Sequence, residues 1–206
     1  VSYYARLAGA IPIDYPLDEN FQYSLSEIET AVMDHQPKIL HICTPNNPAG
    51  CAMPITDIAA IARQFDGVVV VDEAYYEFHG ESMGYLVCNK SLVDEIYKVK
   101  PPYNVNSFSQ RAAELLLEHK EIQEERAKEI VQARQWLYQA LAGLRGVEPY
   151  PSYANFILVK VENGAKVYQG LLKKGILVRH FEGNPVLNNH LRITIGRGED
   201  NKYILH

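Results

Sequence analysis

A run of four valines at residues 68–71 is the feature that most constrains the fold of this chain. A continuous β-branched run without polar alternation is typical of a parallel strand that is covered on both faces. The apolar segment 38–43 predicts a second buried strand, and the pattern of residues 55–65 predicts a helix between the two. A strand, a helix and a strand with short connections predict a right-handed βαβ unit. This part of the chain is therefore predicted to be α/β.

The rest of the chain is predicted to contain both helices and strands. Before the βαβ unit we expect a short strand at 10–15 and a helix at 24–33, which Ser24 and Glu27 open as a capping box. After two consecutive prolines, the patterns predict helices at 107–118, 122–144 and 165–174 and strands at 154–161, 176–179 and 190–195. These later elements predict a second, smaller α/β lobe that is hinged near the long helix.

Composition argues against several classes of protein. The chain has 206 residues, of which 47% are hydrophobic, and a formal net charge of −5 without a basic stripe, so nucleic-acid binding is not expected. No apolar run approaches the roughly 18 residues of a membrane span, and the first ten residues do not resemble a signal peptide. The three cysteines have no metal-ligand spacing, so we expect reduced thiols, no metal and a cytoplasmic location.

Polar residues follow both strands of the βαβ unit. Asp72 and Tyr75 come after the valine strand, and the segment TPNNPAG at 44–50 follows the strand before it. Ligands of open parallel sheets bind beyond the carboxyl ends of the strands, and these ends meet at one edge. The residues alone leave two interpretations open, because Asp72 could cap the following turn or face a bound ligand, and TPNNPAG could be only a turn.

These motifs resemble the fold type I aminotransferases that depend on pyridoxal 5'-phosphate. The resemblance begins with TPNNPAG and VVVDEAYYEF, and KVKPPYNVN (98–106), PSYANF (151–156), GILVR (175–179) and LRITIG (191–196) narrow it to the histidinol-phosphate aminotransferase group. It implies a mainly parallel large-domain sheet, incomplete here, and a smaller α/β C-terminal domain. Residues 1–115 would belong to the cofactor-binding large domain, and residues 116–206 would form the small domain with the long interdomain helix.

The resemblance also implies roles for cofactor-binding residues. Asp72 would face the pyridine nitrogen of pyridoxal 5'-phosphate and keep it protonated, so that the ring withdraws electrons from the substrate. Tyr75 and Asn47 would donate hydrogen bonds to the phenolic oxygen of the ring. Asn46 is expected to shape the loop instead.

The implied substrates are histidinol phosphate and 2-oxoglutarate, in histidine biosynthesis. Arg192 would bind an anionic group of the substrate through its planar guanidinium, unless it is an ordinary surface arginine. Asn155 and Arg179 lie in matching motifs and are expected to line the same pocket. Threonine-phosphate decarboxylases and aromatic aminotransferases carry similar motifs, so both reactions stay open as alternatives.

One expected catalytic residue has no counterpart in this sequence. Members of the family carry a lysine that forms the Schiff base with the cofactor and then moves a proton. The residues around Ser82 run directly into Gly84 and Tyr85, which resemble the end of that lysine motif. Lys90, Lys98 and Lys100 match other positions of the family, so the catalytic residue is left unassigned.

The sequence also lacks counterparts of the first βα units of the family. We therefore expect the 206 residues to be parts of a longer polypeptide. This polypeptide is expected to form a homodimer and to act on small-molecule substrates. A different hypothesis is that the lysine is absent from the polypeptide itself. The chain would then be a catalytically inactive relative that serves as a binding or structural protein. The set of Asn47, Asp72, Tyr75 and Arg192 has no evident use in such a chain.

The mass of the purified polypeptide decides between these two hypotheses. We expect mass spectrometry to give a value well above the 23.3 kDa of these 206 residues, because the lysine segment and the first βα units would add to it. A mass of 23.3 kDa would mean that the deletions are real and that no lysine is present to bind the cofactor covalently.

Overall fold

The computed structural model describes residues 2–80, 82, 94, 98 and 106–205. The junction that follows Ser82 and the interior of the 98–106 motif, for which the sequence makes predictions, lie outside the described residues.

The N-terminal part contains the predicted βαβ unit. Its elements are α1 (Ser2–Leu7), α2 (Leu25–His35), β1 (Ile39–Cys43), α3 (Ile55–Gln64), β2 (Val68–Asp72) and a 3₁₀ turn (Tyr76–Phe78). Strands β1 and β2 are parallel, and their register pairs Ile39 with Val68 and Cys43 with Asp72. This register brings the segment after Cys43 and the carboxylate of Asp72 to one edge of the sheet.

Three local predictions for this part are wrong. Residues 10–15 form no strand, since they pair with no described strand. The valine strand is not covered on both faces, because Val68 is 38% exposed and the other residues of β2 are only half-buried. Helix α2 begins after Ser24 as expected, but the Ser24 side chain makes no capping hydrogen bond.

The C-terminal part forms a second sheet around the long helix. Its elements are α4 (Ser107–Glu118), α5 (Lys120–Ala142), β3 (Val147–Pro149), β4 (Phe156–Val161), α6 (Gly164–Lys173), β5 (Arg179–His180), β6 (His190–Thr194) and α7 (Gly198–Tyr203). The strands are antiparallel in the order β3–β4–β6–β5. Leu137 and Leu141 of α5 pack on Ile157, Leu191 and Ile193 to form its buried core.

Most elements of this part agree with the sequence predictions, and two strands differ. The strand predicted at 176–179 is reduced to Arg179–His180, because pairing with β6 begins only at Arg179. Strand β3 was not predicted, since its three residues are too few for an alternating pattern and include Pro149. Its neighbour β4 is buried along almost its whole length and forms the centre of the sheet together with β6.

The two parts meet at the TPNNPAG segment. The backbone N–H of Tyr153 donates to the carbonyl of Gly50 over 2.7 Å. Gly50 has φ +81°, and a Cβ at this position would overlap the Oγ atom of Ser152. The contact therefore requires glycine both for its left-handed backbone and for its lack of a side chain.

The substitution Gly50→Ala is expected to lower the free energy of unfolding by about 2–4 kcal/mol, from backbone strain and from overlap with Ser152. Gly175→Ala is the matched control, because Gly175 has φ +77° and no heavy atom of the described residues would lie within 4 Å of the added Cβ. Chemical denaturation should show a clearly smaller loss for Gly175→Ala. Equal losses would mean that the contact with Ser152 adds nothing.

Candidate active site

The side chain of Asn47 connects the two parts of the protein. Its Nδ2 atom donates to the Tyr75 hydroxyl over 3.2 Å, and its Oδ1 atom accepts from Nη1 of Arg192 over 2.7 Å. A guanidinium can only donate, so Oδ1 must face Arg192 and Nδ2 must face Tyr75. The amide therefore has a fixed orientation between a residue that follows β2 and a residue of β6.

Asn46 shapes the loop that presents Asn47, as expected from the sequence. The Asn46 backbone N–H donates to the Cys51 carbonyl over 2.8 Å, and its own carbonyl accepts from the N–H of Gly50, also over 2.8 Å. The peptide bonds before Pro45 and Pro48 are both cis. The two hydrogen bonds of the Asn46 backbone close the turn. The side chain of the following residue, Asn47, is directed at Tyr75 and Arg192.

Tyr23 stabilises this loop through hydrogen bonds, a role that was not predicted from the sequence. Its hydroxyl donates to the Cys43 carbonyl and accepts from Nδ2 of Asn46 over 3.1 Å. Burial raises the pKa of Tyr23 above its usual range, so the hydroxyl keeps its proton and remains a donor. In the sequence, Tyr23 directly precedes the N-cap residue of α2, and this position indicates only hydrophobic packing. Its hydrogen bonds could not be predicted, because their partners lie in a loop at least twenty residues further along the chain.

Asp72 ends β2 at the same edge of the sheet. Its Oδ1 atom accepts from the backbone N–H of Ala74 over 3.2 Å, so the carboxylate does cap the following turn. Its Oδ2 atom makes no hydrogen bond to any residue that the structure describes. The two interpretations of Asp72 are therefore compatible, since one oxygen holds the turn and the other is available to a ligand.

Arg192 lies over an aromatic ring beside this edge. Its guanidinium carbon is 5.0 Å from the ring centroid of Phe156, and the Tyr75 ring meets the same Phe156 ring edge-on at 5.2 Å. The Nε atom of Arg192 is buried and has no hydrogen-bond partner among the described residues. A buried donor without a partner is rare in folded proteins, and here it fits an anionic ligand group beside Arg192.

The remaining two predicted residues lie near this cluster and share no side-chain hydrogen bond with it in the described part of the chain. Arg179 of β5 pairs with Arg192 across the ladder, so both project from the same face of the sheet, and the Arg179 side chain is exposed. The carbonyl of Asn155 accepts from the N–H of Ile195 over 2.8 Å, and its half-buried side chain makes no hydrogen bond to a described residue.

A buried histidine lies two residues from Arg192 along β6. The ring of His190 contacts the rings of Phe21 and Tyr150 at centroid distances of 5.3 and 5.7 Å. Burial is the main cause that lowers the pKa of His190, the positive charge of Lys160 lowers it further, and Glu148 opposes both. The ring is therefore held neutral by its surroundings.

The fold and this cluster define an α/β protein that brings polar and charged side chains together at the carboxyl ends of its parallel strands. The sequence profile of the family "Aminotransferase class I and II" matches residues 1–83 and 78–206. The chain therefore belongs to the class I and II aminotransferase family.

Similar proteins cover nearly the whole chain. The histidinol-phosphate aminotransferase of Thermoanaerobacter sp. (strain X514) is 36% identical over 232 residues, which include all of this chain and 66% of that protein. Histidinol-phosphate aminotransferase 1 of Carboxydothermus hydrogenoformans is 40% identical over 215 residues, which include 91% of this chain and 60% of that protein. The chain thus spans less than two thirds of the length of these relatives.

Solved structures share the fold. The histidinol-phosphate aminotransferase of Clostridium acetobutylicum has a TM-score of 0.87 at 23% identity, over 99% of this chain and 72% of that chain. The enzyme of Sinorhizobium meliloti, solved with pyridoxal-5'-phosphate, has a TM-score of 0.84 at 20% identity, over 99% and 65%. The L-threonine-O-3-phosphate decarboxylase of Porphyromonas gingivalis has a TM-score of 0.81 at 21% identity, over 99% and 72%. These similarities confirm the predicted fold type I architecture.

The comparisons also locate an internal difference. The alignment with the Thermoanaerobacter protein is 232 positions long, whereas this chain has 206 residues, so about 26 positions of that relative have no counterpart here. The family match is broken at residues 78–83. That break lies where the motif comparison predicts the absent lysine segment.

The buried state of His190 predicts a pH dependence of stability. Because its folded pKa lies below the ordinary 6.5, the unfolded chain takes up the proton first as the pH falls. The contribution of neutral His190 to the free energy of unfolding should be complete above about pH 6.5. It should be lost as the pH falls through the lower pKa of the folded state. NMR titration should give a midpoint below 6.5, and His190→Gln should flatten the decline in the free energy of unfolding. A midpoint at or above 6.5 contradicts this.

Proposed function

We propose that this chain is part of a pyridoxal 5'-phosphate-dependent aminotransferase that transfers an amino group between histidinol phosphate and 2-oxoglutarate. The observation that carries the proposal is the Asn47 amide, which joins Tyr75 and Arg192 beside the carboxylate of Asp72. The names of the curated relatives support the choice of substrate.

The residues present fit the ring of the cofactor. The available Oδ2 atom of Asp72 suits a protonated pyridine nitrogen, and an ion pair there would keep that nitrogen charged. The Tyr75 hydroxyl and the Asn47 amide are donors suited to the phenolic oxygen. When bound, the cofactor supplies an electron-withdrawing ring that stabilises negative charge at the substrate Cα.

The basic residues of the second sheet suit the anionic ends of both substrates. Arg192 would bind a carboxylate or phosphate through Nε and its remaining N–H groups, while Asn47 fixes one end of the guanidinium. Arg179 adds a second positive charge on the same face, and Asn155 would line the pocket beside Phe156. Two positive charges favour a phosphate or a dicarboxylate over a neutral substrate.

The proton transfer step requires a base that these residues do not provide. We propose that the active polypeptide carries the family lysine between residues 78 and 84, where the family match is broken. We further propose the assembly that the resemblance implies: residues 1–115 in the large domain and 116–206 in the small domain of a cytoplasmic homodimer. No helix among the described residues is long and apolar enough to span a membrane.

Two alternatives use the same site. A decarboxylase of a phosphate-bearing amino acid has the same fold, as the Porphyromonas structure illustrates, and it would release carbon dioxide from its substrate and form no glutamate from 2-oxoglutarate. An aromatic aminotransferase would accept an uncharged side chain. A catalytically inactive binding protein is favoured by the absent lysine alone. Product analysis with histidinol phosphate, an aromatic amino acid or a phosphorylated amino acid, each with 2-oxoglutarate, separates these cases: glutamate from the first or the second marks an aminotransferase, carbon dioxide from the third marks a decarboxylase, and no product marks the inactive protein.

The substitution Asp72→Ala tests the proposed role of this carboxylate, which is to bind the pyridine nitrogen of the cofactor. In the full-length polypeptide it should weaken cofactor binding and lower the rate by at least about a hundredfold, on the order of 3 kcal/mol in activation free energy. Asp66→Ala is the matched control, because this exposed aspartate lies at the opposite end of β2. Stopped assays and absorbance titration with pyridoxal 5'-phosphate give both values. An unchanged rate would remove Asp72 from the site.

A further inference from the structure

Arg134 of α5 is a buried cation without an anionic partner among the described residues. It is only 8% exposed, and its Nη1 atom donates to the carbonyls of Ala154 over 2.7 Å and of Phe78 over 3.3 Å. It forms no salt bridge with a described carboxylate. Burial lowers the pKa of Arg134, and the nearby Tyr153 opposes this shift. Burying a charge in this way is costly, and an apolar residue of similar length would avoid the cost.

The two carbonyls belong to segments from opposite sides of the site. Phe78 ends the 3₁₀ turn that directly follows Tyr75. Ala154 precedes Asn155 and Phe156 at the start of β4, in the part of the chain that also contains Arg192. One guanidinium nitrogen therefore holds two backbone segments that are 76 residues apart in the sequence.

The same two segments also meet through their side chains. The rings of Tyr75 and Phe156 are in edge-on contact at 5.2 Å, and the guanidinium of Arg192 lies on the Phe156 ring. A displacement of either segment would therefore change the distance between the Tyr75 hydroxyl and Asn47, which is 3.2 Å. The hydrogen bonds of Arg134 go to backbone carbonyls, so its effect on these side chains is transmitted through the backbone.

We propose that Arg134 is a positioning residue, which fixes the Tyr75 side and the Phe156 side of the site relative to each other. The inference rests on the proposed function, because the geometry that it fixes is that of the proposed cofactor and substrate pocket. A guanidinium suits this task, because its planar fork fixes the directions of the two N–H groups on Nη1 that reach the two carbonyls. A lysine ammonium also carries several donors, but they rotate on a flexible stem, so it would hold the two carbonyls less rigidly.

The test compares Arg134→Met, Arg134→Lys and Arg126→Met in the full-length polypeptide. Arg126 is the matched control, because it lies on the same helix but is exposed and pairs with Glu129 over 2.7 Å. The first readout is hydrogen–deuterium exchange of residues 73–80 and 151–156. The others are the affinity for pyridoxal 5'-phosphate, the pH dependence of the bound cofactor's absorption, and kcat and KM.

For Arg134→Met we expect faster exchange in both segments, a shifted pH dependence of absorption and a loss of up to about a hundredfold in kcat/KM. Arg134→Lys should recover part of each change, and Arg126→Met should resemble the unchanged protein. Exchange that stays unchanged in both segments, or that rises equally throughout the chain, would overturn the proposal. So would a stability loss with normal absorption and kinetics in the folded fraction.

Failure of the role of Arg134 is distinguishable from failure of the proposed function. If the unchanged polypeptide binds no pyridoxal 5'-phosphate and transfers no amino group, the proposed function fails, and exchange in the two segments still decides whether Arg134 holds them together. If Arg134→Met does not fold, Arg134→Lys carries the test, because it retains the charge and donor groups but loses the fixed geometry of the guanidinium.

Discussion

The parallel pairing of β1 and β2 is the constraint on which the site depends. Its register sets Cys43 beside Asp72, so the TPNNPAG segment and the turn that contains Tyr75 leave the sheet together. The backbone N–H of Thr44 donates to the Asp72 carbonyl over 2.9 Å and continues this pairing by one residue. A shift of one residue would reverse the faces of every side chain in β2 and separate these groups.

The second sheet reaches this edge through contacts that are polar as well as apolar. The Tyr153–Gly50 backbone bond, the Arg192–Asn47 side-chain bond and the two bonds of Arg134 all join the N-terminal and C-terminal parts. Such bonds depend strongly on distance and angle, whereas apolar packing tolerates sliding. The polar contacts therefore set the geometry of the site, while two hydrophobic clusters stabilise the parts themselves and a third, in which Phe21 packs against Tyr150 and Leu158, joins them.

The sequence predicted what depends on local pattern and did not predict what depends on distant partners. The βαβ unit, the long helix and the two central strands β4 and β6 follow from periodicity, and the motifs selected Asn47, Asp72, Tyr75 and Arg192, which the structure brings to one edge of the sheet. The strand expected at 10–15 failed because a strand needs a partner that periodicity does not supply. Tyr23 and Arg134 were missed because their importance arises from carbonyls that are far away in sequence.

The arrangement of charges in this cluster suits the ligand of mixed polarity that we propose. Asp72 and Arg192 form no ion pair with each other in the described structure, and the neutral amide of Asn47 holds Arg192 beside Tyr75. If the two charges were in contact, each would satisfy the other and a ligand would have to break that pair. Because they are kept apart, a ligand with a cationic nitrogen near Asp72 and an anionic group near Arg192 meets both charges without that loss.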